Sequence, residues 1–141
     1  MKIISHRGNI NGKNLKLENN PDHIEKLSKI IDCEIDVWMI NKDLFLGHDK
    51  PEYKIKKSFL KNPNLWCHAK NLNALKFMLN ENIVCFYHNT DDFTLTSNGF
   101  IWTYPFKEVC EKSIIVDTRK NWNVNDNYKT CYGICSDYIN I

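Results

Sequence analysis

The sequence has no long apolar run, no concentrated positive charge and no linker-like segment. None of its apolar stretches approaches the ~20 residues that a membrane-spanning helix needs, so we expect no membrane span. The net charge is only +2 and the lysines are dispersed, whereas nucleic-acid-binding proteins usually carry a concentrated basic face. This charge pattern argues against nucleic acid as the main partner and is compatible with a single small anionic ligand.

The start of the sequence also lacks the features of an export signal. Residues 1–6 contain too short an apolar run for a signal peptide, so we expect a cytoplasmic protein. The sequence contains no internal repeat, low-complexity tract or linker rich in proline and glycine. Because 141 residues can bury a core of their own, the sequence predicts a single domain over residues 1–141.

The six cysteines do not follow a metal-binding spacing. Cys131 and Cys135 are four residues apart, but no second pair lies nearby to complete a zinc site. Cys33, Cys67 and Cys85 begin apolar runs, where a small thiol packs well. We therefore predict buried free thiols rather than disulfides, as expected in the cytosol.

Short apolar runs recur along the chain, each about as long as a β-strand. They cover residues 2–5, 33–38, 65–69, 83–87, 100–103, 113–116 and 133–135, with a hairpin-like run at 44–47. Runs that are apolar on both faces are typical of a parallel sheet covered on both sides.

Helical patterns lie between these runs. Asn20 and Pro21 suit the N-cap and first position of a helix. One apolar stripe follows, formed by Ile24, Leu27, Ile30 and Ile31. A second helix is predicted from residue 71 or 72 to residue 80, and residues 91–95 and 106–110 leave room for only a turn or two.

The alternation of strands and helices predicts an α/β fold built from βαβ units. A full eight-unit barrel typically takes ~250 residues, far more than this chain has. We therefore predict a reduced TIM-like (β/α) barrel with about seven short parallel strands and abbreviated helices.

Polar side chains lie at the carboxyl ends of the predicted strands, the edge at which active sites of such folds are assembled. They are His6, Arg7, Glu34, Asp36, His68, Lys70, His88, Tyr104, Asp117, Ser136 and Asp137. Glu34 and Asp36 are two residues apart in one strand, so they point to the same face. Two carboxylates in an apolar strand need a positive partner. That partner is either a divalent cation or a structural network with Arg7 or Lys70.

Two histidines add acid–base chemistry to this edge. Histidine titrates near neutral pH, so His6 and His48 could divide the tasks of accepting and donating a proton. Arg7 and Lys70 would neutralise non-bridging phosphate oxygens. A structural role for either histidine is the alternative to this interpretation.

Taken in order, these motifs resemble the glycerophosphodiester phosphodiesterase family. The shared motifs are His6-Arg7-Gly8, Glu18-Asn19, Glu34-Ile35-Asp36, His48-Asp49, Lys70 and the closing segment 133–138. The resemblance is dense over residues 3–70, thin over 71–132, and returns at the end of the chain. It implies a metal-dependent hydrolase of glycerophosphodiesters or related phospholipid head-group diesters, with a small-molecule phosphodiester as its partner.

The resemblance also implies a role for each site residue. His6 and His48 would form the acid/base pair, and Arg7 and Lys70 would bind the phosphate. Glu34 and Asp36 would bind a divalent cation, Mg²⁺ or Ca²⁺, with Glu18 close by as a ligand or an orienting group.

The sequence departs from the family at His68, where the family usually has a metal-binding glutamate in a Glu-x-Lys motif. Histidine can ligate a metal through its neutral imidazole, so His68 would keep the ligand role and make Mn²⁺ an alternative cofactor. The same change is equally compatible with a loosened site.

The chain is also shorter than full members of the family. This predicts a shallow pocket and open strand edges, which a homodimer could cover. Two other functions remain open: a catalytically weakened relative that binds phosphate or a phosphodiester, and a phospholipase of the sphingomyelinase D type.

Overall fold

The computed structural model describes residues 1–140, which form one curled sheet with few helices. Its strands are β1 Lys2–His6, β2 Asp32–Ile40, β3 Asp43–Leu46, β4 Tyr53–Ile55, β5 Leu65–Ala69, β6 Cys85–Phe86, β7 Phe93–Leu95, β8 Ile101–Thr103, β9 Ser113–Val116 and β10 Gly133–Ser136. The α-helices are α1 Pro21–Leu27 and α2 Leu72–Asn80. Turns of 3-10 helix cover Lys57–Lys61, Trp122–Val124 and Asp126–Thr130.

The sheet combines parallel and antiparallel strands. Its main path runs β4-β3-β2-β1-β10-β9-β8-β7, and β5 joins it by pairing with both β2 and β6. The pairs β2–β3, β3–β4 and β7–β8 are antiparallel. The pairs that connect β6, β5, β2, β1, β10, β9 and β8 in that spatial order are parallel, so their carboxyl ends share one edge.

The predicted reduced TIM-like barrel is therefore wrong. The described residues form a curled, mixed half-barrel of ten strands with only two α-helices. Antiparallel strands flank the parallel ones because β2 continues past Val37 to pair with β3, and β7 folds back on β8. The connection 104–112 is also too short for a crossover helix, which needs at least ~10–12 residues including its turns.

The helix predictions are partly confirmed. Asn20 caps α1 by accepting hydrogen bonds from the backbone N–H groups of Asp22 and His23, and Pro21 is the first helical residue. The helix ends at Leu27, however, and Ile30 is exposed. Helix α2 begins at Leu72 as predicted. Residues 91–95 were expected to form a helical turn but contain strand β7, and residues 106–110 contain no helix.

Apolar side chains fill the inside of the curl and the space beneath the two helices. Ile4 of β1, Ile35 of β2 and Ile114 of β9 are fully buried. The cysteines are free thiols, and Cys33, Cys67 and Cys85 are buried as predicted. Neither α1 nor α2, the α-helices among residues 1–140, has the length and apolarity to cross a membrane.

A buried carboxylate fastens the segment that follows β9. Asp117 accepts hydrogen bonds from Arg119 Nε at 2.9 Å, Arg119 Nη2 at 2.6 Å and the Tyr128 hydroxyl at 2.7 Å. Burial alone would raise the pKa of Asp117, but these donors hold it below its ordinary value. The ionised carboxylate thus ties residues 119 and 128 to the end of the strand.

We expect Asp117→Asn to lower the free energy of unfolding by about 1–3 kcal/mol at pH 7, because the buried Tyr128 hydroxyl and the Arg119 guanidinium lose a charged acceptor. The folded-state pKa is depressed, so this stabilisation is complete above the unfolded-state pKa of ~3.9. It is lost as the pH falls through the folded-state pKa. Urea unfolding at pH 7 and near pH 3 measures both effects. A stability difference that does not shrink at acidic pH would contradict the role of the ionised carboxylate.

Candidate functional site

A pocket of about 540 Å³ opens at the carboxyl edge of the parallel strands. The predicted site residues that line it are His6, Arg7, Glu34, His48, His68 and Lys70. Asp36 is fully buried beside them, and Glu18 lines a neighbouring pocket that shares His48. The structure thus brings the predicted site residues to one place, although the surrounding fold is not the predicted barrel.

Arg7 enters the site from a strained backbone conformation. Its φ of 58° lies in the left-handed region, which is unfavourable for a residue other than glycine. Two backbone hydrogen bonds hold it there: its N–H donates to the Glu34 carbonyl, and its carbonyl accepts from the Asn19 N–H, both at 2.9 Å. Arg7 Nε lies 3.3 Å from Asp36 Oδ2. The two backbone hydrogen bonds therefore hold Arg7 in this conformation, with its guanidinium beside Asp36.

Glu34, Asp36 and His68 form a compact group of metal-ligand type. One donor atom from each lies within 4.8 Å of the others. Strand pairing produces this group, because Asp36 of β2 is in register with His68 of β5 and Glu34 precedes Asp36 by two residues on the same face. Both carboxylates are buried.

Two carboxylate oxygens of this group accept no hydrogen bond from the described residues. Within residues 1–140, neither Glu34 Oε2 nor Asp36 Oδ1 has a hydrogen-bond partner. By contrast, Asp36 Oδ2 accepts from Asn19 Nδ2 at 2.9 Å. Buried acceptors without donors are rare and costly. These oxygens, together with an imidazole, are suitable ligands for a divalent cation.

The two carboxyl groups differ in their tendency to ionise. Burial raises the pKa of Glu34, and the charge of Asp36 raises it further. Burial would also raise the pKa of Asp36, but the neighbouring His68, when it carries a proton on Nδ1, and Arg7 bring it down to about 2. The pair thus carries negative charge at neutral pH, and a cation between the two carboxyl groups would favour the ionised form of both.

Glu18 lies outside this metal-ligand group. Its Oε1 accepts a hydrogen bond from Asn9 Nδ2 at 3.0 Å, and its Oε2 lies 3.8 Å from Arg7 Nη1. Of the two predicted roles for Glu18, ligand or orienting group, these contacts favour the orientation of Arg7.

His6 is held by a carboxylate that was not among the predicted site residues. Its Nδ1 donates to Asp137 Oδ1 at 2.7 Å, and the same oxygen accepts from Asn9 Nδ2 at 2.8 Å. Its Nε2 lies 3.9 Å from Glu34 Oε2. Burial lowers the pKa of His6, but Asp137 and Glu34 outweigh it and raise the pKa above its usual value. The only signal for Asp137 in the sequence was its place at the end of the closing strand.

His48 approaches the pocket from the loop after β3. Its Nδ1 lies 2.7 Å from Asp49 Oδ1, and its side chain is 38% exposed. The loop is anchored at Gly47, whose N–H donates to the Asp36 carbonyl at 3.2 Å and whose carbonyl accepts from Trp38 Nε1 at 2.6 Å. The second histidine is thus more accessible to solvent than His6.

Parallel rings form the wall opposite these groups. The ring centroids of His68 and His88 lie 4.5 Å apart, and those of His68 and Phe86 lie 5.2 Å apart, each pair with an interplanar angle of 9°. Burial, together with the nearby His68 and Lys70, lowers the pKa of His88 to about 4. His88 is therefore neutral at physiological pH and presents an uncharged ring to the pocket.

Lys70 completes the basic part of the site. Its Nζ lies 3.9 Å from Asp36 Oδ1, and its backbone N–H donates to the Val37 carbonyl at 2.8 Å. No family model, curated protein or solved structure matches the chain, so the resemblance to the phosphodiesterases rests on the motifs alone.

Proposed function

We propose that the protein is a metal-dependent phosphodiester hydrolase that acts on glycerophosphodiesters or related phospholipid head-group diesters. The observation that supports this proposal best is the composition of one pocket, which combines four histidines, His6 and His48 among them, with two basic side chains and the buried carboxylate of Glu34. These groups can supply three contributions to phosphodiester cleavage: a proton acceptor and donor, neutralisation of the phosphate charge, and ligands for a divalent cation.

Glu34, Asp36 and His68 are the residues that would hold the metal. The fit rests on the two partnerless carboxylate oxygens, which offer lone pairs in a buried place with no donor to receive them. A divalent cation, when bound, neutralises and polarises the phosphoryl oxygens.

Arg7 and Lys70 would bind the non-bridging oxygens of the phosphate. Arg7 Nε has no hydrogen-bond partner among the described residues, although it is buried. Guanidinium groups bind phosphate through paired N–H donors, and Lys70 supplies a point charge beside it. Together the two side chains would stabilise the negative charge that develops on the phosphoryl oxygens in the transition state.

His6 is the better placed of the two histidines to donate a proton. Asp137 holds its Nδ1–H, which leaves Nε2 on the side of Glu34 and the pocket. In the imidazolium form this Nε2–H can protonate the leaving alcohol oxygen as its bond to phosphorus breaks. His48, with its greater exposure, would take the proton from the water or substrate hydroxyl that forms the new bond.

Asp137→Asn should reduce kcat by at least about tenfold while leaving the fold intact, because the amide no longer fixes the His6 tautomer or stabilises its imidazolium form. Asp137 raises the pKa of His6, so its loss should also move the pH–rate limb of His6 to lower pH. The full pH profile of kcat measures both changes. An unchanged profile would show that the contact is only structural.

The proposed function is tested by hydrolysis of glycerophosphocholine, glycerophosphoethanolamine and bis(p-nitrophenyl) phosphate. The protein is first treated with a chelator and then assayed with Mg²⁺, Ca²⁺ or Mn²⁺. Metal-dependent release of the alcohol that is abolished in Asp36→Asn would support the proposal. Phosphodiester binding without turnover under every condition would instead indicate the binding relative.

A further inference from the structure

We propose that His68 selects the metal, so that this site takes a transition-metal ion such as Mn²⁺ or Zn²⁺ through His68 Nδ1 in preference to Mg²⁺ or Ca²⁺. The inference rests on the proposed function because it concerns the same site. It is nevertheless argued from contacts that are independent of any reaction.

The contact of His68 Nε2 with a backbone carbonyl indicates the tautomer of the imidazole. Its Nε2 lies 3.3 Å from the backbone carbonyl oxygen of His88. A carbonyl oxygen only accepts hydrogen bonds, and the ring geometry allows an Nε2–H to donate to it, so we assign the hydrogen of the neutral ring to Nε2. In the neutral imidazole, Nδ1 then bears a lone pair. Histidines that bind metals commonly donate their other ring N–H to such a carbonyl.

The other ring nitrogen of His68, Nδ1, faces the carboxylate of Asp36. It lies 3.2 Å from Asp36 Oδ1, yet this oxygen has no hydrogen-bond partner within residues 1–140. Two lone pairs at this distance repel each other unless a positive charge lies close to both. Glu34 Oε2, a second buried acceptor without a donor, belongs to the same group. Glu34, Asp36 and His68 therefore form a buried group with lone pairs that no described residue satisfies and that a bound cation would accept.

Contacts with neighbouring rings and strands restrict the orientation of the His68 side chain. The ring of His68 lies nearly parallel to the rings of Phe86 and His88, with its centroid 5.2 and 4.5 Å from theirs. Strand pairing fixes His68 in register with Asp36. The imidazole is thus held in its ligand orientation before any ion binds. This strengthens binding because less conformational freedom is lost on coordination.

The donor set then decides the class of ion. Mg²⁺ and Ca²⁺ prefer oxygen ligands, and Ca²⁺ takes six to eight of them in typical sites. Imidazole suits Zn²⁺ and other transition metals better. Arg7 and Lys70, 3.3 and 3.9 Å from Asp36, further reduce the net negative charge that a hard cation would need. Both effects favour an ion that gains from a nitrogen ligand.

Metal binding by the full chain, treated with a chelator and without substrate, tests this inference. Isothermal titration with Mn²⁺, Zn²⁺, Mg²⁺ and Ca²⁺ should give a Kd for Mn²⁺ and Zn²⁺ at least about tenfold lower than for Ca²⁺. His68→Glu restores an all-oxygen set and should reverse the order, with Ca²⁺ or Mg²⁺ binding more tightly than in the unmodified protein. Co²⁺ absorption provides a second readout, since exchange of the nitrogen ligand for oxygen should shift the d–d bands in this variant.

His23→Gln is the matched control. His23 Nε2 also contacts a backbone carbonyl, that of Gly8 at 2.7 Å, but His23 does not belong to the acidic group. This variant should keep the metal order of the unmodified protein. Tightest binding of Ca²⁺ or Mg²⁺, the same order in His68→Glu, or no binding of any metal would overturn the inference. Preference for Mn²⁺ without hydrolysis would instead support the inference and contradict the proposed function.

Discussion

Replacement of His6 by alanine should reduce the rate of phosphodiester hydrolysis by about 10²–10⁴-fold, the usual contribution of a positioned acid or base. The site loses the proposed proton donor, which Asp137 contacts, while Glu34, Asp36 and His68 stay in place, as do Arg7 and Lys70. Single-turnover assays at saturating metal measure the chemical step directly. Metal affinity, measured in the same samples, should remain close to that of the unmodified protein.

His48→Ala and the double variant complete this experiment. Two residues that act in one proton-transfer sequence are not additive, so His6→Ala/His48→Ala should be little slower than the slower single variant. Circular dichroism and thermal unfolding of each variant separate loss of chemistry from loss of fold. Activity that survives both substitutions would overturn the acid/base assignment.

Gly47→Ala is expected to have the largest effect among single substitutions outside the site's charged groups. A Cβ at this position would lie 2.0 Å from the backbone carbonyl oxygen of Lys50 and 3.1 Å from the Glu52 side chain. The backbone of the loop must therefore move, and with it His48, the next residue. We expect a loss of about 1–3 kcal/mol in the free energy of unfolding. Hydrolysis should fall by about 10²-fold, because misplacing a reacting group by 1 Å costs that much.

Gly99→Ala is the control for this substitution. Gly99 also has a positive φ, +86°, but a Cβ there would meet no atom within 4 Å. It therefore carries the conformational cost of a left-handed residue without the collision and without any connection to His48. Chemical denaturation and kcat measured on both variants should show a modest loss of stability and no loss of activity for Gly99→Ala. Equal losses of activity in the two variants would contradict a specific role for the loop at Gly47.

The placement of the site could be predicted because it depends on short-range rules. Glu34 and Asp36 face the same way through the two-residue period of a strand, and this period holds in any sheet. The carboxyl ends of parallel strands meet at one edge whether or not the barrel closes. The site residues therefore come together although the predicted barrel is wrong.

The overall architecture depends on contacts that no local pattern indicates. Phe93 and Leu95 are mostly exposed, so the strand they belong to is defined by its pairing with Ile101–Thr103 rather than by burial. Ile30 fits the apolar stripe of α1 in sequence, yet the helix ends before it. The turn that follows leads directly into β2. These outcomes were decided by tertiary pairing, which overrides local propensity.

Contacts between distant residues were equally hidden within the site. The hydrogen bond between His6 and Asp137 joins residues 131 positions apart. The carbonyl that fixes the His68 tautomer belongs to His88, and a backbone group leaves no signature in a sequence. The sequence therefore predicted which groups meet, but not which tautomer or orientation each would adopt.

The place of β1 between β2 and β10 has a consequence for how the protein is made. A ribosome adds ~5–20 residues per second, so β2 can pair with β1, and β3 and β5 with β2, early in synthesis. The Glu34, Asp36 and His68 group can thus assemble on a nascent chain. The partner of His6 cannot, because Asp137 follows β10 and emerges many seconds later. A ribosome-bound chain would hold its acidic group before the contact between His6 and Asp137 can form, so the proposed activity would begin only after the closing strand has been made.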